Sequence, residues 1–140
     1  FMERFGSTYR IVISAEEGKL PPGLEAYAMP IQADDFHQIV AQARFVLSEG
    51  ASTAAEAACS GIPCVYINST DRRGYLDLLE KRYGTVTNFQ NADKGMTYAE
   101  KTLSEMDGSG GISPQLRREQ IGNDFPDVSK LVRNILLESL

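Results

Sequence analysis

Short apolar runs alternate with helix-spaced apolar positions along this chain. Two runs, residues 45–47 and 64–67, are rich in β-branched and aromatic side chains, as is typical of strands buried in a parallel sheet. Between them, the small residues of segment 50–53 lead into a short predicted helix, which Gly61 ends. The pattern predicts a strand, a turn, a helix and a second strand.

The rest of the chain continues this alternation. Further helices are predicted from apolar positions three and four residues apart, and further strands from β-branched runs. Strands that alternate with helices form βαβ units, so the predicted fold class is α/β, a Rossmann-like three-layer α/β/α arrangement with a parallel sheet. The additional helices cover residues 34–42, 74–83, 92–106, 114–121 and 128–140, and the additional strands cover residues 9–14, 26–29 and 85–89.

Residues 1–6 have the pattern of a last helical turn that leads into the strand at 9–14. We therefore expect the sequence to be a piece of a larger two-domain protein, cut inside a βα unit. In this interpretation residues 1–140 form a single C-terminal domain that lacks its first strand. A length of 140 residues suffices for one domain with its own core.

Composition and charge narrow the functional classes. Hydrophobic residues make up 42% of the chain and charged residues 24%, as is typical of globular proteins. A net charge of −5 argues against a nucleic-acid partner, because phosphate backbones require clustered Lys and Arg. The sequence shows no membrane-length apolar run and no signal pattern. Cys59 and Cys64 lack zinc spacing, so we expect small buried hydrophobes and a reducing, cytoplasmic location.

The turn after the strand at 45–47 is the strongest candidate for a binding site. Ser52 or Thr53 is the expected N-cap of the following helix. Such a turn places the start of a helix at the carboxyl end of a parallel strand. The backbone N–H groups and the positive end of the helix dipole then face a ligand at that edge of the sheet, where phosphate groups commonly bind. The four small residues of this turn are Gly50, Ala51, Ser52 and Thr53.

Glu56 strengthens this candidate site. It lies one helical turn beyond Ser52 and Thr53, so its carboxylate can share their face of the helix. A carboxylate at this position suits a pair of ribose hydroxyls, which need an acceptor. The alternative is a capping box, with Ser52 or Thr53 as the N-cap and Glu56 as a solvated first-turn acid. Residue spacing alone leaves both interpretations open.

A set of short motifs occurs in a familiar order along nearly the whole chain. The motifs are Asp35-Phe36-His37, Phe45-Val46-Leu47, Glu56-Ala57, Gly61-Ile62-Pro63, Thr70-Asp71-Arg72 and the segment from Tyr75 to Gly84. Together they resemble the C-terminal nucleotide-binding half of UDP-N-acetylglucosamine 2-epimerases and related glycosyltransferases of the two-Rossmann-domain (GT-B) architecture. The set is most similar to a GT-B-like family of unknown function.

The resemblance implies a UDP-sugar site around the turn. Gly50, Ala51 and Ser52 occupy the place of the turn that receives the diphosphate, with Thr53 beside them. Glu56 matches the acid that binds the ribose hydroxyls. The expected ligand is therefore UDP or a UDP-sugar, with no metal and no other cofactor.

The resemblance also implies contacts to the base and the sugar. Phe36 matches the region that packs against uracil, and backbone atoms of residues 29–31 would read the base edge. Arg72 matches an arginine that reaches the sugar and diphosphate, where a cation suits the charge that builds on the leaving nucleotide. His37, beside Phe36, is a candidate acid–base group, with a partly exposed histidine at a helix start as the alternative.

Two departures from the family bear on the activity. Gly74 stands where the epimerases have a glutamate, and Glu49 adds negative charge beside the expected phosphate site unless its side chain points away. The acidic catalytic residues of the epimerases belong to the other domain. We therefore expect a glycosyltransferase or 2-epimerase-like activity in the full-length protein and an inactive isolated chain.

The expected partners are the N-terminal domain and, at a sheet edge that lacks a neighbouring strand, a second copy of the chain. A non-enzymatic nucleotide- or anion-binding α/β module is the alternative function that stays open. A receiver-type signalling domain is disfavoured, because no strand-end lysine accompanies Glu16 and Glu17.

Overall fold

The computed structural model describes residues 1–15, 19–29, 35–70, 73–106 and 113–138. They belong to two compact units, Phe1–Ile39 and Val40–Leu140. The second unit contains the sheet and most of the helices.

The sheet of the second unit has three parallel strands. They are β1 (Val46–Ser48), β2 (Cys64–Ile67) and β3 (Val86–Phe89), and they lie side by side in chain order. The register places Cys64 of β2 opposite both Val46 and Val86. The predicted α/β fold class with a parallel sheet is confirmed.

Helices precede, connect and follow these strands. The helix predicted at 92–106 is confirmed at both ends. The helix predicted at 34–42 begins at Phe36 and ends at Gln42, and residue 34 lies outside the described residues. The helices are α1 (Met2–Phe5), a 3-10 helix (Glu25–Tyr27), α2 (Phe36–Gln42), α3 (Ala51–Cys59), α4 (Gly74–Leu78) with a π-helical extension (Leu79–Tyr83), α5 (Ala92–Met106), α6 (Pro114–Asp124) and α7 (Val128–Glu138).

The helices of the second unit cover both faces of the sheet. On one face, the Asn88 side chain reaches the Leu76 carbonyl of α4, and α3 contacts α4. On the other face, α5 packs so closely that a Cβ at Gly95 would lie 2.5 Å from Ile67 Cδ1. Asn88 and Phe89 are adjacent in β3 and therefore point to opposite faces. This is the three-layer arrangement that the alternating pattern predicts.

One part of the core of the second unit lies between α3, α4 and the sheet, and another lies under α5, where Ala99 and Leu103 are buried. Ala54, Ala57 and Ala58 form a stripe of fully buried small side chains on α3, which lets the helix approach the strands. Leu76 of α4 is likewise fully buried. Gly61, just beyond α3, has φ +78°, and a Cβ there would overlap the Pro114 carbonyl oxygen of α6. Glycine is therefore required where these two helices meet.

The strands predicted at residues 9–14 and 26–29 are wrong. In the described parts of these segments the structure forms only an isolated parallel bridge between Ile13 and Ala28. Two hydrogen bonds support it, from Ile13 N to Tyr27 O at 2.8 Å and from Met29 N to Ile13 O at 3.0 Å. Residues Glu25–Tyr27 form a 3-10 helix instead, because local turn hydrogen bonds satisfy the backbone groups that a strand would share with a neighbour.

One expectation for the cysteines is also wrong. Cys64 is buried in β2, as expected, but Cys59 is exposed. Cys59 is the last residue of α3 and lies off the stripe at Ala54, Ala57 and Ala58 that faces the sheet. Both residues are free thiols.

Candidate functional site

The turn between β1 and α3 is held by Ser48. The Ser48 hydroxyl accepts a hydrogen bond from Gly50 N at 3.0 Å and lies 3.0 Å from Gly50 O, to which it can donate. The extended Gly50 backbone, with φ −82° and ψ 119°, leads directly into Ala51, and Ala54 N donates to Gly50 O at 3.0 Å. Gly50 is therefore the N-cap residue of α3.

The prediction that Ser52 or Thr53 caps this helix is wrong. Both residues lie inside the first turn of α3, because the helix begins earlier, at Ala51. The N-cap residue is a glycine and makes no side-chain cap hydrogen bond. The first turn of α3 consequently presents backbone N–H groups without the side-chain acceptor that a Ser, Thr, Asp or Asn would supply.

The capping-box interpretation of Glu56 is excluded by the same geometry. A capping box needs Ser or Thr at the N-cap and an acid three residues later, but the residue three after Gly50 is Thr53. Glu56 lies in the second turn, four residues after Ser52 and on its face of the helix. Glu56 is half-buried and Ser52 is exposed. The structure therefore places a carboxylate one turn behind the open helix start.

The other residues predicted for this site lie elsewhere in the chain. Phe36 and His37 begin α2 in the Phe1–Ile39 unit, with their rings edge-on and their centroids 6.2 Å apart. Phe36 is half-buried and His37 is exposed. Arg72 lies outside the described residues, as do residues 30 and 31.

A cavity of about 300 Å³ lies beside the turn, at the carboxyl ends of β2 and β3. Sequence reasoning missed it. Four carboxamide side chains, one lysine and one phenylalanine contribute to its walls, and no Asp or Glu among the described residues does. The lining residues are Tyr66, Asn68, Thr70, Asn88, Phe89, Gln90, Asn91 and Lys94.

Hydrogen bonds from Asn68 connect the cavity to the turn. Asn68 Nδ2 donates to the Glu49 carbonyl oxygen at 3.0 Å, and Asn68 Oδ1 accepts from Thr70 N at 2.9 Å. Gln90 Nε2 also donates to the Thr70 carbonyl oxygen at 3.4 Å. The segments that follow β1, β2 and β3 are thus joined at the edge of the sheet where open α/β folds bind ligands.

Two further residues of the cavity are fixed by their neighbours. Asn91 Oδ1 accepts from Lys94 N at 2.9 Å and so caps α5. Asn88 donates to the Glu80 carboxylate from Nδ2 at 2.8 Å and from its backbone N at 3.1 Å. These hydrogen bonds fix the positions of the Asn88 and Asn91 side chains.

Tyr66 differs from the other lining residues. Only 5% of it is exposed, and its hydroxyl has no hydrogen-bond partner among the described residues. A buried hydroxyl without a partner costs free energy, on the order of 1–3 kcal/mol. The oxygen itself has less than 1 Å² of accessible surface, so the protein encloses it on all sides and it does not face the cavity.

The two cysteine thiols lie in different environments, since Cys64 is buried and Cys59 is exposed. Burial raises the pKa of Cys64 to about 12, so its thiol stays protonated at neutral pH. Loss of solvation also raises the pKa of Cys59. Cys64 is therefore not a candidate nucleophile.

Comparisons with family models, curated proteins and solved structures find no match to this chain. The GT-B resemblance stays a prediction that depends on the motifs given above. Among the helices that the structure describes, none combines the length and the apolar character that a membrane crossing requires.

Proposed function

We propose that this chain is the nucleotide-sugar-binding half of a GT-B-type glycosyltransferase or of a protein similar to UDP-N-acetylglucosamine 2-epimerases. In this proposal the diphosphate of UDP binds at the start of α3, against Gly50, Ala51, Ser52 and Thr53. The observation that carries the proposal is the glycine N-cap of α3 at the carboxyl end of a parallel strand.

The start of α3 suits an anion for a physical reason. Backbone N–H groups in the first turn of a helix have no partner within the helix, and the helix dipole adds positive potential at the same point. The Glu49 side chain is exposed, and solvent screens the repulsion between its carboxylate and a bound anion. A diphosphate would supply the acceptors that Gly50 cannot.

Glu56 would bind the ribose in this arrangement. Its carboxylate accepts hydrogen bonds, and its position one turn behind Ser52 suits a sugar attached to a phosphate at the helix start. The uracil contact of Phe36, the role of His37 beside it and the sugar contact of Arg72 follow from the resemblance alone.

Catalysis would require the N-terminal domain of such a two-domain protein, because closure over the substrate completes the site and excludes water. We expect the isolated chain to bind UDP weakly and to turn over no sugar. The free thiols of Cys59 and Cys64 favour a reducing compartment, and we propose the cytoplasm.

The test is an NMR titration of the chain with UDP, UMP and uridine, following backbone amide shifts. We expect saturable shifts centred on residues 50–56 that are largest with UDP and smallest with uridine. Equal shifts with all three ligands would contradict a diphosphate site. No shifts at millimolar UDP, in this chain and again in a protein that includes the N-terminal domain, would reject the proposal.

A further inference from the structure

We propose that Asn68 makes the turn between β1 and α3 and the segment after β2 open as one unit. One carboxamide group bonds both segments. Its Nδ2 donates to the Glu49 carbonyl oxygen at 3.0 Å, and its Oδ1 accepts from Thr70 N at 2.9 Å. We call this pair of hydrogen bonds the Asn68 bridge. Its coupling of the two segments does not depend on UDP binding at α3.

The Asn68 bridge is attached to the sheet. Asn68 directly follows β2, and its backbone N donates to Phe89 O of β3 at 2.9 Å, which continues the hydrogen bonds between these parallel strands by one residue. The carboxamide therefore starts from a fixed backbone, and Glu49 and Thr70 belong to the segments that can move. Such segments open more readily than the strands they follow, because fewer buried contacts hold them.

The geometry of a carboxamide gives the physical reason for joint opening. Nδ2 and Oδ1 belong to one planar group, and only two rotatable bonds connect that group to the backbone. A rotation that breaks the bond to Glu49 O therefore also displaces Oδ1 from Thr70 N. Both bonds are exposed, so water competes for them, and loss of the bridge should change local opening by about three- to tenfold.

The turn can be loosened by a substitution away from Asn68. The Ser48 hydroxyl lies 3.0 Å from both the N and the O atom of Gly50, so Ser48→Ala removes these contacts from within the turn. The measurement is hydrogen exchange of single backbone amides by NMR, with Gly50 N and Thr70 N as reporters of the two segments. Exchange at Thr70 N should become about two- to fivefold faster in Ser48→Ala, because the two segments are coupled. Faster exchange at Gly50 N with no change at Thr70 N would overturn the proposal.

A double-mutant cycle assigns the coupling to Asn68. Asn68→Ala removes the bridge and should speed exchange at Thr70 N by about three- to tenfold. In that background Ser48→Ala should leave Thr70 N unchanged, because the two segments are no longer joined. An equal effect of Ser48→Ala with and without the Asn68 side chain would overturn the proposal, since it would show a change in global stability. The matched control is Ser104→Ala, which removes a hydroxyl that donates to Glu100 O at 2.8 Å in α5 and should leave Thr70 N unchanged.

UDP connects this coupling to the proposed function. A nucleotide bound at the start of α3 would hold the turn closed and should slow exchange at Thr70 N in the unmodified chain but not in Asn68→Ala. This step alone rests on the proposed function. Coupling between Ser48 and Thr70 N together with no effect of UDP would reject the nucleotide site and support the Asn68 bridge. UDP binding at residues 50–56 with unchanged exchange at Thr70 N would overturn the bridge and leave the nucleotide site supported.

Discussion

Helices α3 and α5 begin at the same edge of the sheet, each directly after a parallel strand, but their first turns differ. At α5, Asn91 Oδ1 accepts a hydrogen bond from Lys94 N at 2.9 Å. At α3, the corresponding residue is Gly50, which makes no such bond. A side-chain cap accepts a hydrogen bond from a backbone N–H of the first helical turn. A glycine cap has no side-chain acceptor, so these N–H groups can bond to water or to a ligand.

One structural unit, a strand followed by a helix, therefore presents two different surfaces. At α5, the cap hydrogen bond fixes Asn91 beside Lys94, and both side chains line a cavity. The open start of α3 offers the backbone itself, which suits a phosphate group. Substitutions at the two helix starts test whether this difference matters for binding and stability.

The largest effect is expected from closing α3 with an acid. The Gly50 backbone suits an N-cap residue, and a Cβ there would lie 3.6 Å from Ser48 Oγ, an ordinary contact, so Gly50→Asp should fit. Its carboxylate would occupy the helix start and repel a diphosphate. We expect UDP binding to weaken by about 3 kcal/mol. The measurement is an NMR titration of both proteins with UDP, in which the saturable shifts at residues 50–56 should disappear in Gly50→Asp, and unchanged UDP affinity would contradict a phosphate site at α3.

Glu56→Ala tests the residue behind the open start. If its carboxylate bonds the ribose, affinity for uridine, UMP and UDP should fall alike, by about 1–3 kcal/mol, because all three contain the ribose. The three affinities are compared by NMR titration. A loss of stability with unchanged affinities would assign Glu56 to the fold instead.

Asn91→Ala removes the side chain that caps α5. Removal of an N-cap side chain should lower the free energy of unfolding by about 1 kcal/mol, measured by urea denaturation. Asn91→Ser keeps an acceptor at the cap and is the matched control. Equal stability of Asn91→Ala and the unmodified chain would show that the hydrogen bond to Lys94 N contributes nothing to the fold.

The smallest effect is expected from closing α3 with a neutral residue. Gly50→Asn should raise the free energy of unfolding by only about 0.3 kcal/mol, since Gly and Asn differ little as N-caps. Compared with Gly50→Asp, it separates the loss of open N–H groups from charge repulsion. UDP affinity should therefore be higher in Gly50→Asn than in Gly50→Asp, and the reverse order would be inconsistent with a diphosphate ligand.

The sequence predicts best the elements that carry their own periodic signal. Helix α5 has the predicted ends at Ala92 and Met106, and β2 has the predicted bounds, because both depend on patterns within a single segment. Gly84 directly follows the helix predicted at 74–83, and its left-handed backbone with φ +60° is the conformation that favours glycine at a helix end. The fold class followed from this alternation.

The wrong predictions concern segments whose structure depends on contacts with another part of the chain. Residues 9–14 contain β-branched side chains, but a strand also needs a partner, and only Ile13 finds one, in its bridge to Ala28. The start of α3 was misplaced because Gly50 and Ser52 are both acceptable N-caps on propensity alone. The sequence does not reveal the cavity, because its residues come from two strands, the segments that follow them and the start of α5, which only the folded sheet brings together.

The close approach of Gly61 to Pro114 has an evolutionary consequence. The atom that excludes a side chain at position 61 is a backbone carbonyl oxygen, which every amino acid at position 114 would also carry. No compensating substitution at 114 can therefore make room. A lineage that loses this glycine must move α6 as a whole, so position 61 should tolerate change only together with a rebuilt connection between α5 and α6.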